Sequence, residues 1–311
     1  MRVLHTTRHS RVAQRRWIRS ARRTPGGGAI RRIHTAPVLA GAFVLAAGMA
    51  VFAPTTAQAA VACTETALIN AINTANSAGG GTVVLTKDCT YTLTTSHGSD
   101  TDGPDGLPII TTAITLSGNN NIITRSTAVG TLPFRIAKVA PTGNFTLKGN
   151  ITLSNGLAGT DGGGILNDGT VTLTASALTG NTALGKGGGL SNADISAPAT
   201  GATATFTGST VSNNTAVGRG GGIYNGLRST LTTTSSFVNG TNTGSQGAGI
   251  AAINSTATTL TSTPVSTNHA TLNAGGVYRE NGTMTINTSP ISGNTPNNCT
   301  GSSPAVPSCT G

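Results

Sequence analysis

The sequence predicts an all-β fold: a single-stranded right-handed parallel β-helix of roughly eight coils with a short N-terminal capping helix. Three observations favour it. Strand-like segments alternate apolar and polar residues, as in Gly169–Thr174. Glycine and threonine runs exclude helical repeats, because both residues have low helix propensity. Finally, apolar anchor residues recur at a period that suits one coil of short strands per repeat. These anchors are Ile165, Leu190, Ile223, Ile250 and Val277.

The first 59 residues have the features of an export signal. Ten of the 19 Lys and Arg residues precede residue 33, an apolar run follows from Val38 to Phe52, and Ala57-Gln58-Ala59 offers a small-residue cleavage site. We therefore predict a signal peptide with a long basic n-region over 1–59, and a secreted or cell-surface protein. The run is shorter than the roughly 20 residues of a membrane span, so no stable span is expected after cleavage. An uncleaved anchor is the alternative, and Sec and twin-arginine export both remain open.

The formal charge of +10 belongs to this leader. From Ala60 onward, nine basic residues balance nine acidic ones, and the single Trp lies in the leader. A neutral body with few aromatic residues lacks the basic patch and the stacking surface that nucleic-acid binding requires. Nucleic acid is therefore excluded as a partner.

The elements follow in order along the mature chain. Residues 60–80 form an N-terminal cap, in which Thr64–Asn76 is a helix with Leu68, Ile72 and Ala75 on one face. The parallel β-helix occupies 81–298, with repeats of 25–27 residues clearest from residue 151, and 299–311 is a C-terminal tail. The early strands are predicted at Thr82–Thr86, Tyr91–Thr94, Ile109–Leu116, Ile122–Thr124, Phe134–Val139 and Phe145–Leu153.

Two columns of equivalent residues should run along the coils. The five anchors should face inward, and an asparagine ladder should bond successive coils at a turn. One repeat is eight residues longer than its neighbours, which places a loop near Asp194–Gly201. The predicted ladder consists of Asn155, Asn181, Asn214, Asn268 and Asn294.

The chain resembles bacterial secreted parallel β-helix proteins with polymorphic outer-membrane protein (Pmp-type) repeats. The resemblance rests on Ala67-Leu68-x-x-Ala71-Ile72, on Gly79-Gly-Gly-Thr82-Val-Val-Leu85, and on the repeated Gly-Gly-[Gly/Ala]-[Ile/Leu/Val] and x-x-x-Asn units. It covers nearly all of the mature chain. It implies a pectin-lyase-like β-helix and an adhesin-like role, and it is specific for the fold rather than for the function.

The four cysteines lie two at each end of the predicted rod. Four cysteines allow three pairings. A rod of about 35–40 Å cannot be bridged end to end, because bonded Cα atoms lie within about 7 Å. We therefore predict the disulfides Cys63–Cys89 and Cys299–Cys309, which an exported protein permits. No C-x-x-C spacing supports a metal site instead.

One acidic cluster is a weak calcium candidate. Asp100, Asp102 and Asp105 fall within six residues, and the Asp-x-Asp-Gly spacing suits oxygen ligation of Ca²⁺. The cluster lacks the Glu that closes an EF-hand loop. A solvated surface loop is the alternative interpretation, and it is the favoured one. Apart from this calcium candidate, no cofactor is expected.

A second candidate is a column four residues before each anchor. Its residue types vary while the glycines that follow are fixed, which is typical of a scaffold with a variable outer face. The functional interpretation is a surface-recognition stripe for glycans or cell-wall polymers, and simple solvation is the alternative. The column consists of Asp161, Lys186, Arg219, Gln246 and Asn273.

Evidence for catalysis in the sequence is sparse. The mature chain has two histidines, His97 and His269, far apart in the sequence, and its glycine runs lack the Gly-Lys-[Ser/Thr] ending of a phosphate loop. The acidic residues of the repeats are not expected to share one column, as a glycosidase would require. We therefore predict a monomeric, non-catalytic scaffold that binds polysaccharide or cell-wall polymer. The alternatives are a polysaccharide lyase or glycoside hydrolase, and a purely structural spacer.

Overall fold

The computed structural model describes residues 59–192, 201–240 and 242–311. The predicted signal peptide lies almost wholly outside the described residues, so it stays a prediction. The predicted loop near Asp194–Gly201 also falls outside them, apart from Gly201. The remaining chain forms one compact unit.

This unit is a parallel β-solenoid. Its stacked coils form four parallel sheets, which are called faces 1 to 4. Faces 1 and 2 each have eight strands, face 3 has five short strands, and face 4 has six. Eight coils therefore contribute to faces 1 and 2, as the sequence predicts, and six of them also have a face 4 strand. All pairings within the four faces are parallel.

Face 1 consists of Gly80–Val84, Ala113–Ser117, Asn144–Lys148, Thr170–Thr174, Thr203–Thr207, Thr230–Thr234, Ala257–Thr261 and Thr283–Asn287. Face 2 consists of Thr90–Leu93, Asn121–Arg125, Ile151–Ser154, Ala177–Thr179, Thr210–Ser212, Phe237–Asn239, Val265–Ser266 and Ile291–Ser292. Face 3 consists of Leu157–Ala158, Thr182–Ala183, Thr215–Ala216, Thr243–Gln246 and His269–Asn273. Face 4 consists of Ala137–Val139, Ile165–Asn167, Leu190–Asn192, Ile223–Asn225, Ile250–Ile253 and Val277–Glu280. Outside the faces, Gly98–Asp100 and Gly103–Asp105 form an antiparallel hairpin.

The N-terminal helix spans Glu65–Ser77, within one residue of the prediction. Thr64 caps it, because its hydroxyl accepts a hydrogen bond from the Ala67 backbone N–H. The predicted apolar face is buried against the first coil, where it covers the open end of the core. Glu65 fixes the helix to the coil: its carboxylate accepts from the Thr94 N–H and lies 2.8 Å from His97 Nε2.

The predicted inward column is confirmed. Ile165, Leu190, Ile223, Ile250 and Val277 are in register on face 4 and fully buried. They belong to one continuous apolar core that runs through the solenoid. In the strand Thr170–Thr174, buried apolar residues alternate with more exposed threonines. This alternation follows because successive side chains of a strand point to opposite faces of the sheet.

The asparagine ladder exists, but one predicted member is absent from it and one unpredicted member is present. Asn155 is not in it: its backbone is left-handed, with φ of 58°, and its side chain donates to Thr124 Oγ1 instead. Gly156 takes the ladder position and donates its N–H to Asn181 Oδ1. Asn242, which was not predicted, occupies the ladder position on the coil before Asn268. The ladder runs through Asn181, Asn214, Asn242, Asn268 and Asn294.

A second asparagine ladder was not predicted. Asn167, Asn192 and Asn225 end three successive face 4 strands. The side-chain amides of Asn167 and Asn192 each donate to the side-chain oxygen of the next asparagine, at 2.7 and 2.8 Å, and that of Asn225 donates to Thr258 Oγ1 at 2.9 Å. Each also donates to a backbone carbonyl of the following face 1 strand, as Asn167 does to Thr203 O. The ladder therefore holds the corner between faces 4 and 1.

Both predicted disulfides are confirmed. Cys63–Cys89 ties the segment before the helix to face 2, and Cys299–Cys309 closes the C-terminal tail. Val306 and Cys299 of the tail are buried against the last coil. Two disulfides suit an oxidising, extracellular compartment. Within the part of the chain that the structure describes, no helix has the length and apolarity of a membrane span.

Candidate functional site

Most charge of the solenoid lies along the outer side of face 4 and the turn before it. Six of the nine acidic residues and four of the basic ones are placed there. This concentration makes the surface, called the face 4 surface below, the candidate functional site. Its charged residues are Asp100, Asp102, Asp105, Asp161, Asp168, Glu280, Arg135, Lys138, Lys186 and Arg219.

The N-terminal half of this surface is an ionic cluster around Lys138. The hairpin folds over face 4, so that Lys138 Nζ lies 2.5 Å from Asp100 Oδ2 and also contacts Asp102 Oδ2. Asp168, which follows the next strand, approaches from the other side at 3.7 Å. The Lys138 side chain is only 6% exposed. The ammonium group therefore serves as the counter-ion of three carboxylates.

Arg135 holds the other strand of the hairpin. Its Nη1 lies 2.7 Å from Asp105 Oδ1, and its Nη2 donates to the Asp102 carbonyl and to Thr160 Oγ1. Both charged groups of the Arg135–Asp105 pair are almost fully buried. In the described residues, Asp105 Oδ2 has no hydrogen-bond partner. One carboxylate oxygen is thus desolvated without compensation.

These surroundings shift the pKa values of Asp105 and Asp100 in opposite directions. Burial raises the pKa of Asp105 to about 6, although Arg135 opposes the shift. Burial also acts to raise the pKa of Asp100, but hydrogen bonds from Lys138 and from the Asp102 N–H outweigh it, and the pKa is lowered. For Lys138, burial acts to lower the pKa and the two Asp hydrogen bonds raise it above its usual value. Lys138 is therefore held protonated and is unsuited to act as a base.

Asp105 is expected to make the protein more stable as the pH falls from 7 to 5. Its pKa is raised from 3.8 to about 6 on folding, so the folded state binds the proton more tightly than the unfolded state between these values. The free energy of unfolding should therefore rise on acidification through this window. Melting curves of the wild type and of Asp105→Asn between pH 7 and 5 test it. The difference between the two proteins should change with pH, and parallel curves would contradict the assignment.

The C-terminal half of the surface contains the predicted recognition column. Asp161, Lys186, Arg219, Gln246 and Asn273 lie on successive coils, and all five side chains are partly exposed. Asp161 Oδ1 accepts from the Lys186 N–H at 2.7 Å. Arg219 Nε donates to Gln246 Oε1, and Gln246 Nε2 donates to Asn273 Oδ1, both at 2.9 Å. Hydrogen bonds therefore join this row of side chains in two groups, Asp161 with Lys186, and Arg219 with Gln246 and Asn273.

Two tyrosines lie beneath this row. Tyr224 and Tyr278 stand two coils apart on face 4, with Ala251 between them. Lys186 Nζ is 5.0 Å from the Tyr224 ring centroid, and Arg219 Cζ is 5.1 Å from that of Tyr278. Arg219 also pairs with Glu280 at 2.9 Å. Burial raises the pKa of Tyr224, with a further contribution from Asp161, so this phenol stays protonated. Neither ring was predicted from the sequence, although each tyrosine directly follows an anchor residue.

The structure brings an acid of the repeats to the acidic cluster of the hairpin, a contact that was not predicted. Asp168 meets Asp100 and Asp102 at Lys138. In the described ranges, no group of three or more acidic, His or Cys side chains is arranged to hold a metal ion. An incoming Ca²⁺ would have to displace Lys138. Calcium binding by Asp100, Asp102 and Asp105 stays a prediction.

Comparisons with known proteins add little to this geometry. No family model matches the chain, and no curated protein matches it in sequence. Among solved structures, the chain is similar to the A-module of the mannuronan C-5 epimerase AlgE6 from Azotobacter vinelandii. The identity is 16%, the match covers 73% of this chain and 71% of the other, and the TM-score is 0.41. This similarity is too low to assign a residue or an activity, and membership of the Pmp-type repeat family stays a prediction.

Proposed function

We propose that the protein is an exported, monomeric, non-catalytic scaffold that binds a polysaccharide or cell-wall polymer along the face 4 surface. The observation that supports it is the row of Lys186, Arg219, Gln246 and Asn273, which presents amide and cationic donors on consecutive coils. Successive coils are about 4.8 Å apart, so the row repeats along one direction as a polymer does. Sugar hydroxyls accept such hydrogen bonds.

Exposed apolar side chains beside the row support the same ligand class. Leu184 and Val217 lie two residues before Lys186 and Arg219, and they are 58% and 66% exposed. A sugar ring has an apolar C–H face and a rim of hydroxyl groups. A strip with apolar side chains next to polar donors matches both. Exposed apolar residues in line are otherwise a liability for a soluble surface.

Binding is favoured over catalysis because the ionisable groups neutralise one another. Lys138 is paired with three carboxylates, Arg135 with Asp105, and Arg219 with Glu280. Asp105 has a raised pKa, as a general acid would, but it is fully buried and cannot reach a ligand. A lyase or hydrolase needs a free acid and a free base at the substrate.

The double variant Lys186→Ala/Arg219→Ala tests the proposal. It should weaken binding to the polymer by about tenfold or more, because charge-assisted hydrogen bonds contribute about 1.5–3 kcal/mol each. A glycan array and co-sedimentation with cell-wall polysaccharide measure the affinity, and melting curves verify folding. Lys87→Ala is the matched control, since Lys87 is a solvent-exposed lysine away from this surface.

Two outcomes would contradict the proposal. Unchanged binding by the double variant would move the binding site elsewhere on the solenoid. Release of oligosaccharide products by the wild type would favour the polysaccharide lyase or hydrolase alternative.

A further inference from the structure

Face 1 has a column of threonines that is unbroken along the whole solenoid. The central outward position of each of the eight strands is Thr, and every pair of neighbours is in direct register. The two end members are exposed, and the six between them are partly exposed. The column consists of Thr82, Thr115, Thr146, Thr172, Thr205, Thr232, Thr259 and Thr285.

Threonines on both sides widen this column into an array. On one side, Thr170, Thr203 and Thr230 are consecutive, and on the other side Thr174, Thr207, Thr234 and Thr261 are consecutive. Three strands thus present Thr-x-Thr-x-Thr in register. The pairings of face 1 show no register shift, in contrast to the bulge at Gly244 and Gln246 of face 3. The array is therefore regular in two directions.

Strand propensity alone does not explain this array. Threonine is favoured in strands in general, yet the outward columns of the other long faces are mixed. On face 2, the equivalent column reads Ile122, Thr152, Ala177, Thr210 and Phe237. On face 4, it reads Lys138, Leu166, Ser191, Tyr224, Ala251 and Tyr278. A uniform column on one face points to a ligand that is itself uniform.

The array has two repeat lengths. Neighbouring strands lie about 4.8 Å apart, and alternate residues of a strand lie about 6.5–7 Å apart. The oxygen atoms on the prism faces of hexagonal ice repeat at closely similar intervals in two perpendicular directions. Threonine side chains are stiff at χ1, because they are β-branched, so the hydroxyl and methyl positions repeat with the backbone.

The hydroxyl groups of the central column are available to water. Within the described part of the chain, none of the eight has a hydrogen-bond partner in the protein. Each can therefore bond a surface water while its methyl group restricts the position of that water. Of the residues flanking the column on face 1, only Lys148 is charged. Ordered water bridging such a surface to ice contributes nearly as well as direct hydrogen bonds.

We propose that the outer side of face 1 is an ice-binding surface. Its ligand is the prism face of an ice crystal, held through water ordered by the threonine array. This site is distinct from the face 4 surface and does not depend on polymer binding there. A crystalline polysaccharide is the competing flat ligand. It is disfavoured because the central column offers no aromatic ring on which sugar rings could stack.

The full-length chain, exported by a bacterial host and purified, provides the test. The wild type should shape growing ice crystals, open a gap between melting and freezing temperatures, and inhibit recrystallisation. Thr205→Lys/Thr232→Lys places two charges at the centre of the array without touching the core. It should raise the concentration needed to stop recrystallisation by about tenfold or more. Thr205→Ser, which keeps the hydroxyl but removes the methyl, is a milder second variant and should give a smaller loss.

Thr210→Lys is the matched control, because Thr210 is a partly exposed threonine of face 2 in the same coil as Thr205. It should keep the activity of the wild type, and melting curves should show that all the variants are folded. Three results would overturn the proposal. These are a wild type that leaves ice crystals unshaped at its solubility limit, an equal loss in Thr210→Lys, and adsorption to crystalline cellulose or chitin without any effect on ice.

Discussion

Replacing Lys138 by methionine is expected to lower the free energy of unfolding by about 3–5 kcal/mol. The substitution keeps an unbranched side chain of nearly the same length but removes the charge that three carboxylates share. Asp168 is itself only 4% exposed, so its buried carboxylate would lose this ionic contact. Asp100 and Asp102 would repel each other, and the hairpin would be held on face 4 through Arg135 but no longer through Lys138. Denaturant unfolding of the two proteins at pH 7 measures the difference.

The pH dependence of this loss identifies its origin. Without Lys138, the folded-state pKa of Asp100 should rise above its unfolded value, because the ammonium group no longer opposes the effect of burial. Stability of the variant should therefore recover as the pH falls towards 4. Lys148→Met is the control, since Lys148 is an exposed lysine and its loss should change stability by less than about 0.5 kcal/mol. A similarly small change in Lys138→Met would contradict the ionic cluster.

The Lys138→Met variant also tests whether the clustered carboxylates can bind calcium. Millimolar Ca²⁺ should raise the melting temperature of Lys138→Met if Asp100, Asp102 and Asp168 can act together as oxygen ligands. In the wild type, the ammonium group already occupies the position between the carboxylates, and little response is expected. A strong response of the wild type, abolished in Asp102→Asn, would favour the calcium site.

Replacing Asn214 by alanine is expected to lower the free energy of unfolding by about 2–4 kcal/mol. Its carbonyl oxygen accepts from both the backbone N–H and the side-chain amide of Asn181, each at 3.0 Å. Its amide donates to Leu178 O and Asn242 Oδ1. Alanine would leave several of these groups buried and unsatisfied, at about 1–3 kcal/mol each. The melting temperature should fall, while affinity for any ligand of the outer faces should be nearly unchanged.

Asn144→Ala is the matched control, because Asn144 is an exposed asparagine at the start of a face 1 strand. Its replacement should alter the melting temperature little. Should Asn214→Ala abolish ligand binding without lowering stability, the ladder asparagine would have a role in recognition rather than in the fold.

The repeat period made the solenoid predictable from the sequence. Inward residues such as Ile223 and Ile250 must be apolar on every coil, so their recurrence is visible without any structure. The ladder was harder to predict from the sequence, because the number of residues between a ladder asparagine and the next anchor varies. Ladder residues such as Asn181 and Asn214 lie nine positions before their anchors, whereas Asn242 lies eight before Ile250. Asn155 was chosen for its residue type, although Gly156 has the correct spacing.

The ionic cluster could not be predicted in this way. The hairpin is an insertion outside the repeat, so no column relates Asp100 to Lys138, which follows 38 residues later. From the sequence alone, its acidic residues were therefore interpreted as part of a solvated surface loop. The threonine array has the opposite problem: each Thr fits an ordinary strand, and only the observed register shows that all eight align.

The ladders also determine how the molecule could change in length. The side-chain amide of a ladder asparagine such as Asn214 donates to the asparagine oxygen of the following coil, and its own oxygen accepts from the asparagine of the preceding coil. The backbone of each face is likewise hydrogen-bonded to the coils on both sides. Duplication of one whole coil, for example residues 203–229, would therefore create no unpaired polar group at either junction. Loss of half a coil would misalign every column at once. Evolution can thus lengthen or shorten this protein by whole coils, and each added coil would bring one more member to every surface row.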